Sequence, residues 1–463
     1  MPDRRVTAER WLEQARAREG EPFGGRGWDL YLVAAAMLLP FARPAGPGGL
    51  SVLDVLNAVA LAVFLGAALR RRAHVRFLFA LPMLVIFTRS LLAVTNAVSV
   101  SASCVSMLVD AYLYLWFVIL VALLSRRGDL AGVRVAWLAA ASAVALGSLA
   151  AAFAARQLSL WNLLTARGPR LSGAFPNANM FADYLVFSVF IALGLIGRVR
   201  AGILLASLGL LGLALLSTKS NGGMVSLSAG LAVWFPARAW YGGLEGSRLA
   251  GRVALALAPL LLAGLLISES GPGSSLVRRV QEHSFLARIS HSSESRRDIW
   301  RPLERSYVKS PLGLGPGNSA FQKVEIGERE RPDSFLSKEA HNDYLAYAVE
   351  RGPIALLAML AWTGQVFGMA LAARVRPGRQ PADARRDAAL LASFLGALVA
   401  TSLHSMVIEK LHFRHVWLFL GLVCAVTGSV AARETAAARP VPLPRPGAAT
   451  RLGAPAVAMR GRP

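Results

Sequence analysis

Apolar residues fall along this chain in long, nearly unbroken blocks rather than in one-sided stripes, and short arginine-rich connections separate the blocks. Segments that are apolar on every side predict helices surrounded by lipid or by other helices. Such blocks occur at 29–42, 51–69, 77–97, 101–124, 132–154, 179–196, 201–217, 221–236, 252–267, 342–373, 388–403 and 414–431, which predicts about twelve crossings of a membrane. The first is the shortest. Roughly 14 residues at 1.5 Å each reach about 21 Å, less than a full hydrocarbon core.

The pattern breaks at length only once, over 268–341. Irregular backbone exposed to lipid would leave N–H and C=O groups unpaired, so this stretch belongs on one aqueous face. The expected fold is therefore all-α, a polytopic transmembrane helix bundle with one large, partly helical periplasmic loop. Its parts are a cytoplasmic segment 1–28 with a helix-capable piece from Thr7 to Arg18, transmembrane spans over 29–267, the loop 268–341, three further spans over 342–431, and a Pro, Ala and Arg-rich tail 432–463 expected to be disordered in the cytoplasm.

Composition sharpens this picture. Hydrophobic residues make up 55% of the 463, charged residues 17%, and mean hydropathy is +0.48. A net charge of +23 could indicate nucleic acid, but most Lys and Arg sit in short loops between apolar blocks, where they orient helices instead. Alternating the spans from a cytoplasmic start puts Arg126 and Arg127, Arg198 and Arg200, Arg238 and Arg248, and the run from Arg374 to Arg386 on the inside. The loops 98–100, 155–178, 218–220, 268–341 and 404–413 then face outward. Cys104 and Cys424 each lie in an apolar run and read as small packing residues. The first 28 residues do not resemble a cleavable signal peptide.

Four cationic or titratable positions converge on the outer face: Arg170, Lys219, Arg297 and His341. Pro176 with Asn177 or Asn179 predicts a helix start whose free N–H groups, with Arg170 nearby, suit an anion, although an ordinary capped turn uses the same residues. Gly222 and Gly223 after Lys219 permit close approach of neighbours, and Lys219 either meets a phosphate or snorkels to headgroups. The run from Gly313 to Gly317 lacks the Lys and Ser/Thr of a nucleotide loop and reads as a turn. His341, beside Asn342 and Asp343 where the loop re-enters the membrane, is the histidine best placed to exchange protons near neutral pH. His404, His412 and His415 share the last outer loop with Glu409, but their spacing matches no strong metal-ligand motif, and no metal is expected. Among charges inside spans, Arg89 and Asp110 lie at similar depth on consecutive helices and predict an ion pair, while Asp183, one turn after Asn179, is expected to line the site.

Three stretches carry a resemblance: RLSGAFPNANMFADYL from Arg170, RRDIWRPLERSYVKSPLGLGPGNSAF from Arg296, and HNDYLAYAVERGPIALL from His341. Together they resemble the O-antigen ligase and Wzy-polymerase family of membrane glycosyltransferases. The resemblance implies that Arg170 and Arg297 engage the diphosphate of a polyprenyl-diphosphate-linked glycan and that His341 is the base, with Lys219, Asn179 and Asn342 as further substrate contacts. Lys219 departs from the Arg often found there, which keeps the charge but loses the bidentate fork. The implied partners are the lipid-linked donor, a lipid A core or growing glycan as acceptor, and membrane lipid, with no cofactor and no nucleic acid. A transporter or flippase for a lipid-linked or anionic substrate, with the outer arginines as a gate, is the alternative of another class; a non-catalytic assembly factor is a third.

Overall fold

The computed structural model describes residues 23, 25–41, 51–70, 75–127, 129–157, 169–242, 300–319, 340–373, 375 and 380–437, with side chains through 428. The expected span 252–267, the N-terminal segment up to Arg18 and most of the large loop lie outside them.

The described chain is helical throughout its regular parts. In order the helices are α1 (Arg26–Leu38), α2 (Val52–Arg70), α3 (Ala80–Ala93), α4 (Val100–Leu124), α5 (Ala131–Ala154), α6 (Ala178–Leu193), α7 (Ala201–Thr218), α8 (Asn221–Tyr241), α9 (300–309), α10 (Asp343–Arg351), α11 (Pro353–Ala372), α12 (Pro381–His404) and α13 (Arg414–Ala437). Six of them (α2, α4, α5, α7, α11 and α12) are long and apolar enough to cross a membrane, and α3, α6 and α13 contribute shorter apolar stretches. Large apolar side chains such as Val55, Val59, Leu81, Leu84, Leu205 and Leu357 point outward, where a water-soluble protein would place polar groups. This is a membrane protein with an all-α bundle fold.

Helix α6 is the axis of the bundle: every residue in it except Asn179 is buried. Helices α5, α7, α8 and α12 pack around it. The most extensive helix pair, α8 with α12, meets at two glycines. A Cβ on Gly230 would stand 2.6 Å from the Gly396 carbonyl oxygen, and one on Gly396 would stand 2.8 Å from that of Gly230. In lipid, where apolar burial gives little drive to helix association, such small-residue contacts let backbones come close enough for dispersion to hold them.

The apolar block 342–373 is not one helix. It divides at Gly352, whose φ of +83° breaks the α10 ladder, and Pro353 starts α11 at the position where its missing N–H costs nothing. The amphipathic α10 therefore lies apart from the spanning α11. A Gly-Pro pair after Arg351 is the signal for this break.

The ion pair expected between Arg89 and Asp110 is absent. Asp110 instead receives Arg351 Nη2 at 2.7 Å, while Arg89 donates to the Leu312 carbonyl. Helix α4 packs chiefly on α13 and α3 on α11, so consecutive helices do not supply each other's counter-ions. Asp54 meets Arg414 through two bonds of 3.0 Å, Arg414 Nε to Oδ1 and Nη2 to Oδ2.

Candidate functional site

The residues around 170–180 form the first wall. Asn177 caps α6 by accepting the Met180 N–H at 2.9 Å, which leaves Asn179 to accept a hydrogen bond from Arg170. Arg170 Nε also donates to the Thr218 carbonyl at 3.0 Å, and the Leu171 N–H to that of Ser217. These are carbonyls at the C-terminal end of α7, where helical partners run out and the dipole favours a cation.

Lys219 follows at the same helix end with φ +52° and is buried. Glycine is the usual residue at such a left-handed cap, so lysine here carries a backbone cost. Ser220 caps α8 in turn by accepting the Gly223 N–H. The glycines do allow close approach: a Cβ at Gly222 would stand 2.6 Å from Val407 Cγ2 and 3.1 Å from the His404 ring, and one at Gly223 2.9 Å from Ala182 Cβ. Arg170 and Lys219 line one cavity of about 350 Å³, together with Ser148 and Ala152 of α5 and Ala155 just beyond it. Among the described residues its lining contains no Asp or Glu.

His341 stands at the other wall, also with positive φ, +51°. Its backbone N–H donates to Glu409 Oε1 at 3.1 Å. Asn342 spends its side-chain oxygen capping α10 on the Leu345 N–H. The Asp343 N–H donates to the Ser405 carbonyl, and its Oδ1 accepts from the Lys410 N–H at 3.0 Å. Burial pushes the Asp343 carboxyl up to about 6. The segment 341–343 and the loop 405–413 thus clasp each other.

Under this clasp lies a cluster the sequence did not assemble. Asp183 Oδ1 accepts from Lys410 Nζ at 3.0 Å and lies 2.6 Å from His404 Nδ1, while its Oδ2 lies 2.8 Å from His415 Nε2. All four residues are buried. Asp183 therefore supports the site from below instead of lining it, and two of the three outer histidines are bound to it, with the Lys410 ammonium as counter-charge. Among the described residues no group of His, Cys, Asp and Glu is arranged to hold a metal ion. Only the isolated cost of a carboxylate in α6 signals such a cluster in the sequence; its partners come from more than 220 residues away.

These contacts join the two walls: Arg170 to the α7 end, Gly222 to His404, His404 and Lys410 to Asp183, and Lys410 to Asp343. The candidate residues Arg170, Asn179, Lys219, His341 and Asn342 therefore belong to one connected end of the bundle. Arg297 lies outside the described residues. Trp300, at the start of α9, donates to the Ala340 carbonyl at 2.9 Å, beside His341. The run from Gly313 to Gly317 is the turn its sequence predicts, with the Leu314 and Gly315 N–H groups bonded to the carbonyls of Val349 and Glu350 on α10.

Residues 206–360 match the O-Antigen ligase family model. The chain carries an O-antigen ligase domain. The match takes in Lys219, Arg297, His341 and Asn342, whereas Arg170, Asn179 and the α5 wall of the cavity precede it. No curated protein matches the chain. O-antigen ligases and the related polymerases are glycan-transfer enzymes, and a membrane enzyme of that kind accords with the bundle and its polar end.

Proposed function

We propose that the protein moves a glycan from a polyprenyl-diphosphate carrier to an acceptor hydroxyl on the periplasmic face of a bacterial inner membrane. The observation that carries this reading is the cavity lined by both Arg170 and Lys219 at the bundle end that also bears His341. Two cations on one cavity, the buried Lys219 and the exposed Arg170, suit a diphosphate. Arg297, three residues before Trp300 in the chain, is a third diphosphate ligand in this reading, and Asn179 and Asn342 are polar neighbours of the substrate.

In the transfer, the acceptor hydroxyl gives its proton to a neutral His341 imidazole while its oxygen forms a bond to the anomeric carbon of the donor glycan. The bond from that carbon to the diphosphate oxygen breaks, and polyprenyl diphosphate leaves with the electron pair. Charge grows on the leaving oxygen, where fixed cations stabilise it most. Base catalysis of this type contributes roughly 10²–10⁴-fold. No nucleotide or metal enters the scheme. The acceptor is a lipid A core sugar for a ligase or a growing glycan for a polymerase, and the loop 268–341 holds the sugars while the spans hold the lipid tail.

The test uses purified protein, lipid-linked donor and acceptor, with chelator present. Arg170→Gln and Arg297→Gln should each abolish transfer at unchanged protein level, and Arg→Lys at either position should restore part of it, since Lys supplies a point charge without the fork. Full activity in Arg297→Gln withdraws that residue. Donor flux across vesicles without a covalent product supports a transporter instead. A single cysteine at Ser275 should react with an impermeant reagent added outside; protection there refutes the periplasmic face.

A further inference from the structure

We propose that Glu409 is the positioning residue that fixes His341, so that the loop between α12 and α13 takes part in the reaction without touching the substrate. This rests on the reading of His341 as the base.

The argument starts from backbone conformation. Among the described residues only Phe79, Arg156, Lys219 and His341 combine a side chain with a left-handed φ. A residue in that region carries a steric cost and stays there only where its surroundings over-determine it. His341 stands just before the start of α10, where Asn342 takes the cap. Capping by Asn342 fixes the helix start but leaves the His341 N–H, which lies before the helix, to be held by something else. Glu409, 68 residues later in the chain, accepts that N–H through its carboxylate at 3.1 Å. A bond to an ionised acceptor is stronger than one to a neutral group and is directional.

Glu409 is itself held in place. Next to it, Lys410 donates its backbone N–H to Asp343 and its ammonium to Asp183. On the other side of the loop, the Ser405 carbonyl accepts the Asp343 N–H, and the Val407 side chain packs over Gly222. The loop is therefore tied to α6, to the start of α8 and to the His341 corner at once. A carboxylate mounted on such a support sets a neighbouring backbone group more firmly than water would. Positioning errors of about 1 Å in a reacting group cost on the order of 10²-fold in rate.

The experiment compares wild type with Glu409→Ala, Glu409→Gln, Glu409→Asp and His341→Ala, measuring donor affinity and single-turnover rate on equal amounts of monodisperse protein. Glu409→Ala should slow turnover about 10²-fold with donor affinity within about twofold, because the diphosphate contacts lie elsewhere. Glu409→Gln should recover most of the rate, since its amide oxygen accepts the same N–H. Glu409→Asp, one methylene shorter, should be slow although charged, and it decides the matter if the alanine variant does not fold. A wild-type rate in Glu409→Asp, or a Glu409→Gln as slow as Glu409→Ala, overturns the positioning role while a dead His341→Ala leaves the base reading intact. An active His341→Ala overturns both.

Discussion

Lys219 offers a substitution pair in which stability and activity separate. Both Lys219→Ala and Lys219→Gly delete the amine and whatever it touches, so they differ only in the backbone preference at φ +52°. Alanine in the left-handed region costs about 1–2 kcal/mol. Glycine avoids that cost but loses about 0.5–1 kcal/mol more in ordering an unfolded chain with greater freedom. The balance favours Lys219→Gly over Lys219→Ala by about 1 kcal/mol, or roughly fivefold in the ratio of folded to unfolded protein. Activity should not follow: both variants lack the cation at the cavity and both should lose transfer, whereas Lys219→Arg should retain it. Unfolding of the detergent-solubilised variants gives the first comparison, and turnover on lipid-linked donor the second. Equal stability of the two variants refutes the argument from the left-handed cap. Full transfer by Lys219→Gly refutes the part assigned to the amine.

Three further outcomes are expected. His341→Gln, which can donate and accept a hydrogen bond but cannot take up the proton, should lower turnover by roughly 10²–10⁴-fold with donor affinity nearly unchanged; near-normal turnover, or activity lost to chelator and restored by a divalent cation, refutes the base. Asp54→Asn should destabilise the bundle by about 3–5 kcal/mol, because Arg414 would keep a buried charge without its partner, and a paired Asp54→Leu, Arg414→Met variant should cost much less; thermal unfolding of the three proteins checks it. The Asp343 carboxyl titrates near 6 in the folded protein against an ordinary value of 3.8. The folded state therefore holds this proton more tightly, and the stability it contributes is full below about pH 4 and lost as pH rises through 6. Asp343→Asn should flatten that part of the stability profile, and an unchanged slope refutes the assignment.

The helices were largely legible because lipid demands long apolar blocks whose ends are marked by charge. The expected spans 101–124, 132–154 and 201–217 match Val100–Leu124, Ala131–Ala154 and Ala201–Thr218 within a residue. The split at Gly352 was written in the Arg-Gly-Pro sequence but was masked by the apolar runs on either side. Side-chain partnership was much less legible. Asp110 pairs with Arg351, 241 residues away, and not with Arg89 on the preceding helix, because order along the chain does not fix order around a bundle. The candidate cations Arg170 and Lys219 were recognisable by residue type and loop. That Arg170 meets the C-terminal end of α7, where Lys219 sits, follows from how α6 and α7 pack, which only the three-dimensional arrangement reveals. Glu409 gave no local signal, since its role lies in a bond to another residue's backbone.

The Asp183 cluster also bears on how the protein is made. Asp183 leaves the ribosome 221 residues before His404, 227 before Lys410 and 232 before His415, and Asp54 precedes Arg414 by 360. Two buried carboxylates thus enter the membrane long before their counter-charges exist, in a solvent where an unpaired ion is costly. Synthesis proceeds from the N-terminus, so the early helices cannot settle into their final packing as they emerge. Completion waits for α12, α13 and the loop between them, which deliver the imidazoles, the ammonium and the guanidinium together. A chain ending before residue 404 retains both unmatched acids within its apolar segments, and its insertion and its resistance to membrane proteases should suffer even though the segments that bear Arg170, Lys219 and His341 have all been translated.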